Sequence, residues 1–244
     1  PSWAASDVYK RQGTISLIQA TGGAGIGGYD DKMPTAWEES WGNSVGTSVN
    51  LQKGVGSSSN VQWASPSVMG ATLKVAYAPK NDGSTANDKA TGGDKASPKQ
   101  EGIDAMLDIN VAGQNIFVGA SQTERDGADK AGNNADANSD HQEGVAGAIF
   151  SIGPVKAGIQ ATAEFLGDNQ GGHTSPFGYR NVAWGVSFNV NDNLSVSYGE
   201  MESTKGFTST MTQKRAMTVE SFQIAYTMGG ASIKIADTSG DNLK

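Results

Sequence analysis

The sequence predicts an all-β chain whose antiparallel strands run up and down, in chain order, around a transmembrane β-barrel. Three observations predict this fold class. Apolar and polar residues alternate with period two in many short segments. The connections between those segments alternate between short and long. Hydrophobic residues are only 36% of the chain, and no apolar run approaches the roughly 20 residues of a membrane-spanning helix. A barrel accounts for all three, because only the lipid-facing half of each strand must be apolar.

The alternation is clearest in the predicted hairpin of residues 186–199. Val186, Phe188 and Val190 alternate with Ser187 and Asn189, and the Asn-Asp-Asn sequence that follows is typical of a tight turn. The same pattern predicts strands near residues 13–20, 58–66, 70–79, 101–111, 114–123, 142–151, 154–166, 181–190, 193–202, 217–228 and 230–237. Two strands are less regular, since Phe117 and Phe150 fall on the polar register.

The connections support a barrel inserted from one side of a membrane. Short turns separate every second pair of strands, and the long polar loops are residues 21–57, 80–100, 124–141, 167–180 and 203–216. Short turns at one edge and long loops at the other are typical of outer-membrane barrels, whereas a soluble sandwich has no reason for this alternation.

The two ends of the chain lack the pattern. Residues 1–12 show neither a signal-peptide sequence nor strand alternation, and we expect a non-native or disordered start there. Residues 241–244 lack the terminal aromatic residue that closes most outer-membrane barrels. We therefore expect residues 13–244 to be one barrel domain that is incomplete at both ends.

Composition and motifs exclude several classes of function. A net charge of -7 argues against nucleic-acid binding, and the absence of cysteine excludes thiolate metal sites. His141 and His173 fall in separate polar loops, so we expect no metal or cofactor. Asp104 and Asp108 are paired carboxylates, but they face a lumen with no apolar pocket. We expect that the protein is not an enzyme.

Three stretches resemble hairpins of Gram-negative general porins. Residues 60–78 (NVQWASPSVMGATLKVAYA) resemble a recurring porin hairpin, and residues 189–199 and 221–231 resemble two others, similar to those of alphaproteobacterial porins. The resemblance implies a sixteen-stranded homotrimer in the cell outer membrane, of which about 11 strands are present here. It also implies that residues 21–57 are the loop that folds into the barrel and narrows the pore.

The resemblance and the alternation together suggest three groups of site residues. Acidic side chains of the loop are expected at the narrowest point; these are Asp30, Asp31, Glu38 and Glu39. Basic side chains are expected to face the lumen; these are Lys74, Lys156, Lys234 and, at a strand start, Arg180. The alternative is that these charges are simply solvated. Outward aromatic residues are expected to form interfacial girdles, or else to pack at a trimer interface; these are Trp63, Tyr77, Phe165, Tyr198 and Tyr226.

The expected function is a porin that forms a water-filled channel for passive diffusion of ions and small polar solutes. Its expected partners are outer-membrane lipid, the diffusing solutes and two further copies of the chain. Two alternatives remain open at this point. One is a secreted or surface β-sandwich or β-solenoid that binds glycans, and the other is an enzyme built on an outer-membrane barrel.

Overall fold

The computed structural model describes residues 12–19, 24–30, 32–42, 51–56, 59–79, 99–125, 140–165, 176–207 and 216–243. These residues contain one eleven-stranded sheet in which each strand pairs with the next in chain order. Every pairing is antiparallel. The strands are β1 (Thr14–Ile18), β2 (Asn60–Ala64), β3 (Ala71–Ala78), β4 (Lys99–Val111), β5 (Gln114–Arg125), β6 (His141–Ile152), β7 (Val155–Phe165), β8 (Pro176–Asn191), β9 (Leu194–Phe207), β10 (Met217–Met228) and β11 (Ala231–Asp241).

The predicted fold class is confirmed, and each predicted strand is present. The sheet is open, since β1 and β11 do not pair with each other among the described strands. None of the helices in the described part of the chain has the length and apolar character needed to cross a membrane. The expectations for the first eleven residues and for strands beyond these eleven stay predictions.

Three strand ends differ most from the prediction. β8 begins at Pro176 rather than near residue 181, β9 continues to Phe207, and β11 continues to Asp241. The predicted loops 167–180 and 203–216 are therefore wrong at these ends. The backbone ladder between Pro176 and Phe207 continues beyond the last alternating apolar residues. A ladder needs only paired backbone groups, so the hydrophobic pattern underestimates its length.

The two faces of the sheet have opposite chemistry. On β8, Val182, Trp184 and Val186 are exposed, whereas the residues that alternate with them, Asn181, Ala183, Gly185 and Ser187, are buried. We call the first face the outer face and the second the inner face. Large apolar residues are exposed on the outer face of most strands, among them Ile103, Ile116, Val118, Ile159, Phe188, Phe222, Ile233 and Ile235. Lipid stabilises such a face, whereas water would not.

A segment between β1 and β2 covers the inner face. This inner segment consists of residues 24–30, 32–42 and 51–56, and it includes the short 3-10 helices Gly25–Tyr29 and Ser40–Gly42. Ile26, Tyr29 and Val55 of the segment are buried in a small core with Met106 and Phe117 of the sheet. The apolar core of the described residues thus lies between the inner segment and the wall.

The two irregular phenylalanines occupy opposite faces. Phe117 lies on the inner face, as its register predicts, but its ring packs 4.9 Å from the ring of Tyr29 and is buried. Phe150 is about half exposed on the outer face, so its assignment to the polar register is wrong. Its strand mate Ile149 pairs with Gly158 and faces inward instead.

Candidate functional site: the inner face and the inner segment

A buried carboxylate on β4 holds both ends of the inner segment. Asp104 is fully buried, and its Oδ2 accepts a hydrogen bond from the Ile26 amide at 2.9 Å and from the Val55 amide at 3.1 Å. Gly25 and Gly54 lie beside it with positive φ angles of 58° and 54°. A Cβ at either glycine would overlap Asp104 Oδ2. Glycine is therefore required at both positions, for conformation and for space.

A second carboxylate, on β6, binds the same part of the segment. Glu143 Oε1 accepts a hydrogen bond from the Lys53 amide at 2.9 Å, and Oε2 accepts one from the Gly54 amide at 2.6 Å. Hydrogen bonds to an ionised acceptor are stronger than those between neutral groups. The wall thus binds the returning end of the segment through its backbone.

A charged and aromatic cluster joins the segment to β3 and β4. Asp108 accepts a hydrogen bond from the Tyr29 hydroxyl at 2.7 Å and pairs with Lys74 Nζ at 2.8 Å. Lys32 Nζ lies 5.2 Å from the Tyr29 ring centroid, within the range of a cation–π contact. Burial and the neighbouring Asp108 raise the pKa of the Tyr29 phenol far above its usual value, so the hydroxyl remains a donor.

The middle of the segment crosses to the far strands. The Ala36 amide donates to Ser197 Oγ on β9 at 2.8 Å. Gln223 on β10 accepts from the Glu38 amide at 3.3 Å and donates to the Glu38 carbonyl at 2.5 Å. Trp37 donates to the Ile235 carbonyl on β11 at 3.4 Å. Inward groups from β4 to β11 therefore hold a single segment against the wall.

A polar cavity of about 620 Å³ lies between the segment and the short-turn edge of the sheet. Trp37 forms part of its lining, and Lys234 Nζ lies 5.4 Å from the Trp37 ring. Asn189, Asp192 and Ser195 supply hydrogen-bonding groups from the β8–β9 hairpin. Such a lining is compatible with water and with small polar solutes.

Three of the four acidic candidates lie on the inner segment, as the sequence predicts. Asp30, Glu38 and Glu39 are half-buried on the inner segment. Asp31 lies outside the described residues. Their position at the narrowest point of a pore stays a prediction.

The three candidate lysines and the candidate arginine lie on different faces. Lys74, Lys156 and Lys234 are on the inner face, in the register that the alternation predicts. Arg180 is exposed on the outer register with Val182 and Trp184, so its expected lumen position is wrong. The strand begins at Pro176, and before Val182 its outer register holds Gly178 and Arg180 while the aromatic Tyr179 is on the inner register, which hides the parity in the sequence. Lys32, on the segment itself, was missed.

All five girdle candidates lie on the outer face. Trp63 and Tyr226 are near the short-turn edge, Tyr77 and Phe165 are near the long-loop edge, and Tyr198 lies inside β9. The outer face carries further aromatic residues that the sequence analysis did not single out, namely Phe150, Trp184, Phe188 and Phe222. Their arrangement as girdles stays a prediction.

A buried cluster on β6 and β7 was not expected. His141 is the first residue of β6, not part of a loop, and its side chain is buried on the inner face. Its Nε2 lies 2.9 Å from Glu164 Oε1 and 3.8 Å from Glu143 Oε1. Glu143 and Glu164 are direct partners across the hairpin. The signal in the sequence is a His-x-Glu pair on one alternating strand with a glutamate on the next.

Comparisons with known proteins identify the fold and no family. No protein-family model matches the chain, and no curated protein matches it. In-vitro folded OmpT, an outer membrane protein of Vibrio cholerae, is similar in structure with a TM-score of 0.60 and 13% sequence identity. That match covers 95% of this chain and 66% of OmpT. Outer-membrane expressed OmpT of Vibrio cholerae has a TM-score of 0.54 and 10% identity, with 93% and 66% covered.

The chain thus spans just under two thirds of the length of these two structures. Both are outer-membrane proteins, and the predicted outer-membrane location agrees with them. The chain has the fold of an outer-membrane β-barrel.

Proposed function

We propose that the chain forms part of a water-filled channel for passive diffusion of ions and small polar solutes across the outer membrane. The observation that carries the proposal is a polar inner face crossed by a segment fixed to it through inward side chains of β4, β9 and β10 and through a main-chain carbonyl of β11. A wall with apolar residues outside and polar residues inside separates lipid from water. A fixed segment inside that wall limits the size of what passes.

Charges of both signs on the inner face support selective passage. Lys156 and Lys234 are exposed on the inner face, and Glu38 and Glu39 lie on the segment that crosses it. Charged side chains that line a narrow passage bias which ions enter. We propose that the segment's acidic residues Asp30, Glu38 and Glu39 act against these lysines at the narrowest point. The proposal assigns the protein no catalytic chemistry.

The proposal includes assembly into a homotrimer, supported by the outer face of the last three strands. Glu200, Glu220 and Ser239 lie in one row beside Trp184, and Asp237 lies in the next row with Phe222. Carboxylates in a hydrocarbon-facing wall are unfavourable. Contact with another copy of the chain would separate this wall from lipid, and Tyr198 and Ser239 already donate hydrogen bonds to Glu220.

Conductance across a planar lipid bilayer tests the channel. The whole polypeptide that carries this sequence is folded in detergent and added to one side of the bilayer in KCl. We expect stepwise, long-lived current increments whose size scales with salt concentration. A folded protein that inserts into liposomes, as judged by protection from protease, but never carries current would overturn the proposal.

A further inference from the structure

We propose that His141, Glu143 and Glu164 bind a divalent first-row transition-metal ion, with Zn²⁺ as the probe. The site would lie on the inner face of the β6–β7 hairpin, against the returning end of the inner segment. It goes beyond the channel function, since metal binding there requires no current.

The donor atoms converge without rearrangement of the backbone. One imidazole nitrogen and two carboxylate oxygens all lie within 4.8 Å of one another. The two distances from His141 Nε2, 2.9 Å to Glu164 and 3.8 Å to Glu143, lie on either side of the ligand separation in a zinc site. Zinc bonds of about 2.0–2.2 Å in tetrahedral geometry place ligands about 3.3–3.6 Å apart. Small side-chain rotations would suffice.

The charges of the cluster favour a cation. His141, Glu143 and Glu164 are 5%, 6% and 8% exposed, so all three groups are largely removed from water. The three side chains are one imidazole and two carboxylates, and a bound cation would stabilise buried negative charge. A mixed set of one imidazole and two carboxylates suits zinc and its first-row neighbours, whereas calcium prefers oxygen ligands alone. Water would complete the coordination.

The site would act on the inner segment through Glu143. This carboxylate already accepts the amides of Lys53 and Gly54. A carboxylate has about four acceptor positions on its two oxygens, so Oε1 can accept the Lys53 amide and also bind a metal. An ion held by Glu143 would therefore fix the side chain that anchors the segment. We expect metal binding to stabilise the folded protein and to hold the segment against β6.

Calorimetric titration with ZnCl₂ tests the site. The detergent-folded whole protein is first treated with a chelator and dialysed. We expect about one ion per chain, and we expect Glu164→Gln to weaken binding at least tenfold because it removes an anionic ligand while keeping the side chain's shape. Glu101→Gln removes the same charge from an exposed outer-face position on β4 and should bind zinc as the parent does.

Thermal unfolding supplies a second measurement. Zinc should raise the unfolding midpoint of the parent protein and of Glu101→Gln, and at the same zinc concentration it should raise that of Glu164→Gln and of His141→Gln much less. No binding by the parent at millimolar zinc would overturn the site, as would equal binding by the parent and by Glu164→Gln. A protein that binds zinc and carries no current would contradict only the channel.

Discussion

Individual carboxylates on the inner face determine where the inner segment lies. Asp104 and Glu143 together accept hydrogen bonds from four backbone amides, those of Ile26, Lys53, Gly54 and Val55. The Ile26 and Val55 bonds are made by a carboxylate with no exposed surface. A buried acceptor with several donors is costly to replace, because its removal leaves the donors unsatisfied.

Asp104→Asn should loosen the segment. An asparagine oxygen in place of Oδ2 can still accept both amides, but it carries no negative charge. The NH₂ group in place of Oδ1 would face the Val55 amide, a second donor, at 3.2 Å. We expect a loss of about 1–3 kcal/mol in the free energy of unfolding, measured by urea titration of the detergent-folded protein.

Glu101→Gln is the matched control, since Glu101 lies on the same strand and is exposed on the outer face. Its substitution should change the free energy of unfolding by less than about 0.5 kcal/mol. Equal losses for the two variants would contradict the anchoring role of Asp104.

The sequence predicted some of these residues and not others. The faces of Lys74, Lys156 and Lys234 follow from parity, because each lies inside a strand with clear alternation. Arg180 follows the aromatic Tyr179, which is on the inner register, so the apolar pattern does not indicate the parity there. His141 was assigned to a loop because the strand extends one residue beyond its predicted start. Its proximity to Glu164 depends on hairpin register, which composition does not reveal.

At the scale of elements, the inner segment fits against two strands through glycines. Pro34 lies over Gly158 on β7 and Gly185 on β8, which are cross-strand partners. A Cβ added at Gly158 would lie 2.6 Å from Pro34 Cδ, and one at Gly185 would lie 2.7 Å from the Pro34 carbonyl oxygen. Because neither glycine has a side chain, the wall has a shallow groove here, and the segment lies in this track.

Gly158→Ala should displace the segment from this track. The proline ring has little freedom to move away, so we expect the overpacking to cost about 1–3 kcal/mol. Thermal unfolding followed by circular dichroism measures the loss.

Gly144→Ala on the neighbouring strand β6 serves as the comparison. A Cβ at Gly144 would meet only the Gly119 carbonyl oxygen, at an ordinary 3.8 Å. An unchanged unfolding midpoint in Gly158→Ala, or an equal fall in Gly144→Ala, would show that the position of Pro34 does not depend on Gly158.

For the molecule as a whole, the division into faces gives a direct test of selectivity. Lys156→Glu changes the charge of an inner-face residue by two units, and Arg180→Glu makes the same change on the outer face. We expect the cation-to-anion permeability ratio to rise by about twofold or more for Lys156→Glu, because only charges along the passage act on entering ions. Reversal potentials in a KCl gradient measure the ratio. A larger shift from Arg180→Glu would contradict the assignment of faces.

The proposed trimer has a test that uses the absence of cysteine. The chain contains no cysteine, so a single introduced thiol is unique. Ser239→Cys places it beside Glu220 on the outer face of β11, and Ile159→Cys places it on the apolar outer face of β7. With a short bis-maleimide reagent, we expect covalent dimers from the first variant and few from the second. The reverse result would move the interface to β7.

The sequence predicted the strands of the wall better than the path of the inner segment. Lipid on one side and water on the other force a period of two on every strand, so the order of the eleven strands is readable. The path of the inner segment is not readable, because its contacts join backbone amides to side chains as distant as 185 residues, as with Glu38 and Gln223. Such pairs leave no periodic trace.

Because backbone groups hold the inner segment, many of its side chains can change during evolution. A wall that binds the main chain at Ala36, Glu38 and Lys53 tolerates many side chains at those points, provided that Gly25, Gly54 and the buried Ile26 and Val55 are kept. The side chains at these points can therefore be replaced while the backbone contacts of the segment stay the same. Evolution or protein engineering can thus alter the charge and polarity of the segment without changes in the β-sheet wall that holds it.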